Sequence, residues 1–234
     1  MNKNILKTGV QGFIQENIDT DIVSVLLKKS GFNGITSKEL AEQIEAKKKC
    51  KRKLPLWYKT TQIYFPNKLN IEQTSSEKTA AYKAKIVAGE SLLDLTGGFG
   101  IDSYFFSKKM SEIYHCEIDK NLSEIAAHNF KILEAKNIKC VAENGLEFLE
   151  KNDAFFDWIF VDPSRRNETK GKVFFLEDCL PNVPENLDFL FSKTENILIK
   201  TSPLLDFSIG IKSLQNVKEI HVVAVQNEVK ELLW

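Results

Sequence analysis

The sequence predicts an α/β fold in which a doubly wound, Rossmann-like sheet follows a small helical region. After about residue 76, short and continuous apolar runs alternate with helical patterns, whereas the earlier part of the chain is mostly helical in pattern. Continuous apolar runs are typical of parallel strands that helices cover on both faces. The expected strands cover residues 91–95, 113–118, 138–142, 158–161, 197–200 and 220–225.

Apolar spacing and capping motifs predict the helices of the N-terminal region. The residues at 22–27 crowd one short apolar helix. Thr36 and Glu39 have the spacing of a capping box, in which a hydroxyl caps the amide three residues on and the glutamate reaches back. Thr74 and Glu77 repeat that spacing, so a further helix is expected to begin there.

The chain is predicted to divide into a helical region, 1–72, and a second domain, 73–234. Within the helical region, only residues 62–65 are interpreted as a strand. The tail predicts two strands that turn at Asn227, after which the sequence ends on the apolar residues 232–234. Because a natural C-terminus is usually polar, we expect the sequence to be a fragment of a longer protein.

Composition excludes several classes of function. The chain of 234 residues carries 32 basic and 32 acidic side chains, so its net charge gives no reason to expect polyanion binding. Its four cysteines form no C-x-x-C motif, and its three histidines show no metal-binding or catalytic spacing. Neither a signal peptide nor an apolar run of membrane-spanning length is visible. We therefore expect a cytoplasmic protein without a metal or a membrane partner; the sequence does not indicate an oligomeric state.

Three glycines follow the first predicted strand of the sheet, in the segment LDLTGGFGID. They allow the backbone to turn tightly and to approach a ligand without a Cβ in the way. A dinucleotide fingerprint, G-x-G-x-x-G/A, would need Gly or Ala where this chain has Ser103. Asp94, which ends the strand, would also repel a pyrophosphate. A cationic ligand fits better, and a simple tight turn between strand and helix is the alternative.

Polar residues also follow the second and third predicted strands. Glu117 stands about 20 residues past the glycine loop, where a carboxylate can accept hydrogen bonds from both hydroxyls of a ribose. Asn144 and Gly145 follow the third strand, and the Asn144 amide can bond the edge of an adenine. The alternatives are a solvated strand end or helix cap for Glu117 and a plain turn or helix cap for Asn144.

From about residue 76 onward, the chain resembles the class I S-adenosylmethionine-dependent methyltransferases. LDLTGGFGID matches their glycine motif, CEID matches their ribose-binding acid, and AENG stands where they usually carry an aspartate. The resemblance implies a seven-stranded sheet and S-adenosylmethionine as the cofactor. The residues that it assigns to cofactor binding are Gln73, Ser75, Asp94, Thr96, Gly97, Gly98, Gly100, Asp102, Glu117, Ile118, Asn144, Gly145 and Asp162.

The segment upstream of the glycine motif, KLPLWYKTTQIYFPNKLNIEQTSSEKTAAYKA, resembles a group of bacterial methyltransferase-like proteins. In that group a THUMP-like domain, a module associated with RNA binding, follows the core, and this domain would be absent here. In similar enzymes the helix entry covers the methionine end of the cofactor. Gln73, Ser75 and Thr79 are therefore candidates for a lid, and helix capping is the alternative for the hydroxyl residues.

The segment VDPSRR stands where amino-group methyltransferases carry Asp/Asn-Pro-Pro followed by an aromatic residue. In the resembling enzymes the acid and nearby carbonyl groups orient a target amine, so Asp162, Pro163, Ser164 and Arg165 are assigned to catalysis. Because Arg165 replaces the aromatic residue, it is interpreted as a group that stacks on a base or, like Arg166, grips a phosphate.

Two alternatives remain open for this loop. The arginines can form a structural clamp with a carboxylate such as Glu168 or Glu177. The loop can also have lost the capacity for amine methylation, in which case another nucleophile accepts the methyl group.

A basic run from Lys47 to Lys53 precedes Trp57 and Tyr58. Cations that track phosphates beside rings that stack bases suit single-stranded nucleic acid, and the solvated end of a helix is the alternative. Together with Arg165 and Arg166, the run favours RNA, ribosomal or transfer, as the substrate of the expected methyltransferase. The rival hypotheses are a methyltransferase of a protein or small molecule, and a module that binds S-adenosylmethionine without catalysis.

Overall fold

Seven strands form one sheet in the computed structural model, which describes residues 1–165 and 175–234. Numbered within this sheet, the strands are β1 (Ser91–Asp94), β2 (Glu112–Cys116), β3 (Ile138–Val141), β4 (Trp158–Val161), β5 (Ile197–Thr201), β6 (His221–Val225) and β7 (Glu228–Leu233). Their spatial order is β3-β2-β1-β4-β5-β7-β6. Neighbouring strands are parallel except at β7, which runs antiparallel to β5 and β6.

Helices alternate with the first five strands and fill the N-terminal region. They are α1 (Thr8–Glu16), α2 (Ile22–Leu27), α3 (Ser37–Lys53), α4 (Pro55–Lys59), α5 (Lys68–Gln73), α6 (Glu77–Lys83), α7 (Ile101–Phe106), α8 (Lys120–Ile132), α9 (Gly145–Glu150), α10 (Val183–Phe191) and α11 (Phe207–Leu214), with short 3-10 turns at Lys3–Leu6 and Leu176–Asp178. In the described part of the chain, none of them has the length and apolarity that crossing a lipid bilayer requires.

The sheet buries both of its faces, as the continuous apolar strands predict. Leu92 of β1 packs in one cluster with Phe106 of α7. Its neighbour Leu93 packs in another cluster with Leu149 of α9 and Leu190 of α10. Because successive side chains of a strand point to opposite faces, only apolar runs serve a sheet covered on both sides. The predicted doubly wound α/β class is confirmed.

The helical region and the sheet domain share one hydrophobic core. Trp57 of α4 is fully buried, and its ring lies edge-on to that of Tyr104 in α7, 4.9 Å between centroids. The same core includes Ile44 of α3 and Phe130 of α8. A domain boundary after residue 72 stays a prediction, since the packing is continuous across it.

Residues 62–65 are not a strand, contrary to the sequence prediction. Gln62 lies in an exposed turn with a positive φ of +63°, and residues 63–65 are buried, with backbone hydrogen bonds that go to two side-chain amides. Asn129 of α8 accepts from the Tyr64 amide and donates to the Tyr64 carbonyl, at 2.9 Å each. Gln43 of α3 does the same for Phe65, at 3.1 and 2.6 Å. These amides satisfy polar backbone groups that a neighbouring strand would otherwise pair.

One of the two predicted capping boxes is correct. The Thr36 hydroxyl accepts from the Glu39 amide at 3.1 Å, and the Glu39 carboxylate accepts from the Thr36 amide at 2.8 Å. The second box is wrong: Thr74 ends α5, and α6 begins instead from Ser76, whose hydroxyl caps Thr79. Consecutive hydroxyl residues offer several possible caps, and spacing alone chose the wrong one.

The tail forms the two predicted strands, β6 and β7, with Asn227 in the turn between them. Gln226 and Asn227 both have positive φ, +56° and +61°, as a tight hairpin turn requires. Leu232, Leu233 and Trp234 are buried against the sheet. Their apolar character therefore follows from packing.

Candidate functional site

A cavity of about 1140 Å³ opens at the carboxyl ends of the parallel strands. The order of strands reverses between β1 and β4, and ligands bind open α/β sheets at such a switch point. Most of the predicted site residues line it: Gln73, Ser75, Asp94, Thr96, Gly97, Gly98, Asp102, Glu117, Ile118, Asn144, Gly145, Asp162, Pro163 and Ser164. Gly100 and Thr79 are not among the lining residues, so direct contact with a ligand in the cavity is not supported for them.

The glycines of the loop after β1 are required by what lies beneath and beside it. A Cβ at Gly97 would come within 2.4 Å of the His115 ring, and one at Gly100 within 2.3 Å of the Phe130 ring. Gly98 and Gly100 also have positive φ, +57° and +85°. Gly100 therefore shapes the loop by close packing, while Gly97 and Gly98 face the cavity.

His115 of β2 forms the floor under the glycine loop. It is fully buried, and its ring lies edge-on to that of Phe130, 5.4 Å between centroids. Burial lowers the pKa of His115 to about 4, so the ring is neutral at physiological pH. His115 is therefore a residue of the protein core.

Asp94 is a buried carboxylate at the end of β1 that faces the cavity. Ser103 of α7 donates to it at 2.5 Å, and the Thr96 amide donates to it at 3.1 Å. Burial raises the pKa of Asp94 to about 7, against the lowering effect of the Ser103 hydrogen bond. Ser103, the residue that departs from the dinucleotide fingerprint, thus holds the Asp94 carboxylate in place.

Glu117 connects the end of β2 to the glycine loop. Its carboxylate accepts from the Gly98 amide and from the Asp119 amide, both at 2.8 Å. Ile118 follows it on the cavity wall and is 70% exposed. The site thus places an acid, which can accept hydrogen bonds from hydroxyl groups, beside an exposed apolar surface, against which a flat ring can pack.

Asn144 and Gly145 lie where α9 meets the cavity. The Asn144 side chain caps α9 by accepting from the Leu146 amide at 2.9 Å, as the helix-cap alternative expected. A Cβ at Gly145 would come within 2.6 Å of the Leu95 carbonyl oxygen. Gly145 therefore allows close packing of α9 on the β1 loop, and both residues still line the cavity.

A buried charge network that the sequence analysis missed lies behind the cavity. Lys83 of α6 is fully buried and pairs with Glu231 of β7 at 2.6 Å and with Asp102 of α7 at 3.1 Å. Ser75 donates to Asp102 at 2.7 Å and accepts from Lys83 at 3.1 Å. Ser75 and Asp102 line the cavity, but their hydrogen-bonding groups are engaged within the protein, which gives them a structural role.

A second lysine, Lys200 of β5, was also missed, and it pairs directly with Asp162. The Asp162 amide donates to the Thr96 hydroxyl at 2.7 Å, so the loops after β1 and β4 are linked. Burial lowers the pKa of Lys200, but Asp162 and Asp102 outweigh it and hold that pKa above its usual range. The predicted acceptor acid therefore carries an ammonium partner.

The segment after β4 forms a small ribbon at the cavity edge. Ser164–Arg165 pairs antiparallel with Cys179–Leu180. The roles predicted for the Arg165 side chain, for Arg166 and for Glu168 lie outside the described part of the chain. Glu177 accepts a hydrogen bond from Ser213 at 2.9 Å.

The basic run ends α3 and differs from the predicted single-strand surface. Lys47 is 6% exposed and lies over the Tyr58 ring, while Trp57 is fully buried and cannot stack on a base. Lys53 donates to the carbonyls of Ile71 and Glu72 at 2.9 and 2.7 Å.

The other residues of the run differ in their exposure to solvent. Lys48 pairs with Asp19 at 3.5 Å, and Lys49 pairs with Glu72. Lys51 and Arg52 are exposed. These two are therefore the cations of the run that best fit contact with a polyanion.

Within residues 1–165 and 175–234, no cluster of three or more His, Cys, Asp or Glu side chains could hold a metal ion.

No protein-family model matches this chain. It is 33% identical to a crystal structure from Porphyromonas gingivalis W83, provisionally described as a methyltransferase, with a TM-score of 0.84. The match covers 99% of this chain and 57% of that one, so this chain spans little more than half of that protein's length. The resemblance to class I methyltransferases is confirmed in the fold.

Two further proteins are similar over smaller parts. An uncharacterized RNA methyltransferase of Mycoplasma mobile is 30% identical over 79 residues, which are 33% of this chain and 21% of that protein. The structure of M. capricolum TrmK in complex with S-adenosylhomocysteine is 16% identical, with a TM-score of 0.50, and the match covers 66% of each chain. The second likeness concerns the fold alone.

Proposed function

We propose that this protein is an S-adenosylmethionine-dependent methyltransferase that acts on RNA. The observation that carries the proposal is the set of carboxylates, Asp94, Glu117 and Asp162, which line one cavity around a glycine loop. Such a set suits a ligand with positive charge and vicinal hydroxyl groups. The 33% identical structure, described provisionally as a methyltransferase, supports the same activity.

The residues present fit the proposed cofactor. Glu117 would accept from the ribose hydroxyls, Ile118 would cover the adenine, and Asp94 would face the positive end. The amides of the glycine loop are already oriented, because Glu117 and the His115 floor hold its backbone. When bound, S-adenosylmethionine supplies an electrophilic methyl group on a good leaving group, and the protein's part is mostly positioning.

The affinity for S-adenosylmethionine is expected to depend on pH through Asp94. Burial raises the pKa of Asp94 to about 7, and a bound cation favours the ionised carboxylate. Below that pH, binding has to release the proton, so the dissociation constant rises about tenfold for each pH unit of acidification. Above pH 7 the affinity levels off.

Calorimetry from about pH 5.5 to 8.5 measures this dependence. The matched variant Asp94→Asn keeps an oxygen for Ser103 and is expected to show a flat profile. An equal slope in the wild type and in Asp94→Asn would assign the titration to another group.

RNA is proposed as the substrate because the Mycoplasma mobile relative is described as an RNA methyltransferase. The surface offers a matching feature, since α3 ends against α5, whose last residue, Gln73, lines the cavity. The exposed cations Lys51 and Arg52 stand at that end. A cytoplasmic location, where such RNA substrates occur, is part of this proposal.

Methyl transfer from radiolabelled S-adenosylmethionine to unmodified ribosomal and transfer RNA transcripts tests the function. The wild type is expected to label RNA, and Asp162→Ala is expected to lose turnover while it still binds the cofactor. Cofactor binding without turnover on any substrate would instead favour the non-catalytic module. Label that enters protein or small molecules of a cell extract, but not RNA, would favour the other rival.

The exposed cations at the end of α3 can be tested for RNA binding against a control pair of exposed lysines in the same chain. The double variant Lys51→Ala with Arg52→Ala is expected to weaken RNA binding. It should also reduce the slope of the logarithm of the binding constant against the logarithm of the salt concentration by about one per cation removed. The control pair Lys109→Ala with Lys136→Ala removes exposed cations from the loops before β2 and β3, at the amino ends of the strands. Equal losses in both pairs would mean that α3 is not the RNA surface.

A further inference from the structure

Resting on the proposed function, we infer that the methyl acceptor is a hydroxyl oxygen, in RNA the ribose 2′-hydroxyl, and that the Lys200 ammonium faces it. The inference replaces the amine acceptor that the DPSRR motif would imply by resemblance. It depends on the pairing of Lys200 with Asp162 and on the position of both residues in the cavity wall.

The position of Lys200 follows from the sheet. β4 and β5 are neighbouring parallel strands, so Lys200 near the end of β5 comes beside Asp162, which directly follows β4. The Lys200 side chain is 13% exposed and that of Asp162 is 30% exposed. This limited exposure is at the cavity, where a substrate would meet the pair.

An amine acceptor suits this arrangement poorly. Asp162 would have to receive the amine directly beside the Lys200 ammonium with which it already pairs. Attack by an amine also builds positive charge on nitrogen, and a fixed ammonium nearby opposes that charge.

A hydroxyl acceptor suits the same arrangement. A hydroxyl becomes a good nucleophile as it loses its proton, and the negative charge that develops on its oxygen is stabilised by an ammonium. In RNA the internal nucleotides carry one free hydroxyl, the ribose 2′-hydroxyl. The chemistry of the pair thus selects both the kind of acceptor atom and its place in the substrate.

Lys200 keeps its charge because of the groups that face it. These are Asp162 after β4, Asp102 of α7 and Glu231 of β7, against like charge from Lys53 of α3 and from Lys83 of α6, which pairs with Asp102 and Glu231. The carboxylates outweigh burial, so the pKa of Lys200 is held above its usual range. Lys200 therefore acts as a fixed cation rather than as a base.

The step balances without any further reactant. The acceptor oxygen forms a bond to the methyl carbon as the bond from sulfur to that carbon breaks, and the electron pair of that bond stays on sulfur. The hydroxyl proton passes to the Asp162 carboxylate and then to water. Lys200 remains protonated throughout.

The position of the transferred methyl group tests the inference directly. RNA labelled by the wild-type chain with radioactive S-adenosylmethionine is hydrolysed in alkali, which needs a free 2′-hydroxyl to cut the chain. We expect the label in alkali-resistant dinucleotides. Label recovered in mononucleotides would mean a methylated base and would overturn the inference, while the proposed methyltransferase function would stand.

Variants of Lys200 test its role. Lys200→Met is expected to lower kcat by about 100-fold or more, as does the loss of other groups that stabilise developing charge, with little change in cofactor affinity. Its remaining activity should rise about tenfold per pH unit above neutrality, because Asp162 loses the partner that holds it in place and the hydroxyl then depends on solvent hydroxide for ionisation. The wild type should be level there, and Lys200→Arg should restore part of the activity.

The control is Lys109→Met, which removes an exposed lysine from the loop before β2, at the amino ends of the strands and therefore away from the cavity. It is expected to behave as the wild type. If Lys200→Met lost activity only through weaker folding, its pH profile would follow that of the wild type, and Lys200 would be a structural residue. Absence of any methyl transfer by the wild type would instead overturn the proposed function itself.

Discussion

Replacement of Glu117 by alanine is expected to weaken S-adenosylmethionine binding by about 100-fold or more. Two hydrogen bonds from ribose hydroxyls to a carboxylate contribute about 1.5–3 kcal/mol each, and about 1.4 kcal/mol corresponds to a factor of ten in affinity. Glu117 also accepts from the Gly98 amide, so its loss loosens the glycine loop as well. Calorimetry with the purified chain measures the change.

The control for this variant is Glu143→Ala. Glu143 is a carboxylate just beyond β3 that pairs with Lys151 at 2.8 Å and is not among the residues lining the cavity. Its removal is expected to leave the affinity unchanged. If Glu117→Ala bound the cofactor as tightly as Glu143→Ala does, the assignment of Glu117 to the ribose would be wrong.

Replacement of Lys83 by methionine is expected to cost about 3–5 kcal/mol of unfolding free energy. Lys83 is fully buried between Asp102 and Glu231, and its removal leaves two buried carboxylates without the cation that pairs with them directly. Domains of this kind have about 5–15 kcal/mol in total, so such a loss is large. Urea unfolding, followed by circular dichroism, measures it.

Two further variants make the result interpretable. Lys83→Met combined with Glu231→Leu is expected to recover part of the loss, because burial of an unpaired charge is the main cost. Lys139→Met removes a lysine from the exposed pair with Glu112 and is expected to change stability little. Equal stability of Lys83→Met and Lys139→Met would show that the buried network contributes nothing.

The sheet and the side of the cavity proposed for the cofactor were predictable because their signals are local. The strand at 158–161 was predicted with the bounds that β4 has, and the other five strands with predicted bounds, β1, β2, β3, β5 and β6, lie within two residues of them at each end. Glycines and acids at the carboxyl ends of parallel strands indicate a ligand-binding site, because these ends lie together along one side of the sheet. The positions of Asp94 and Glu117 on the cavity wall were therefore predictable from spacing.

The parts that sequence reasoning missed depend on partners far apart in the chain. Lys83 and Glu231 are 148 residues apart, and Lys200 and Asp162 are 38 apart. The only local sign of Lys200 was a lysine near the end of an otherwise apolar strand. The segment 62–65 was mistaken for a strand because its apolar pattern is that of a strand. The side-chain amides that pair with its backbone belong to α3 and α8, which lie elsewhere in the sequence.

Calorimetry of the wild-type chain with S-adenosylmethionine and, in parallel, with NAD tests the central claim most directly. The claim is that acids at the ends of β1 and β2 form a site for a cationic adenosyl ligand. It predicts a dissociation constant for S-adenosylmethionine in the range of about 1 μM to 1 mM, and no measurable heat with NAD. Saturable binding of NAD, with no binding of S-adenosylmethionine, would contradict it.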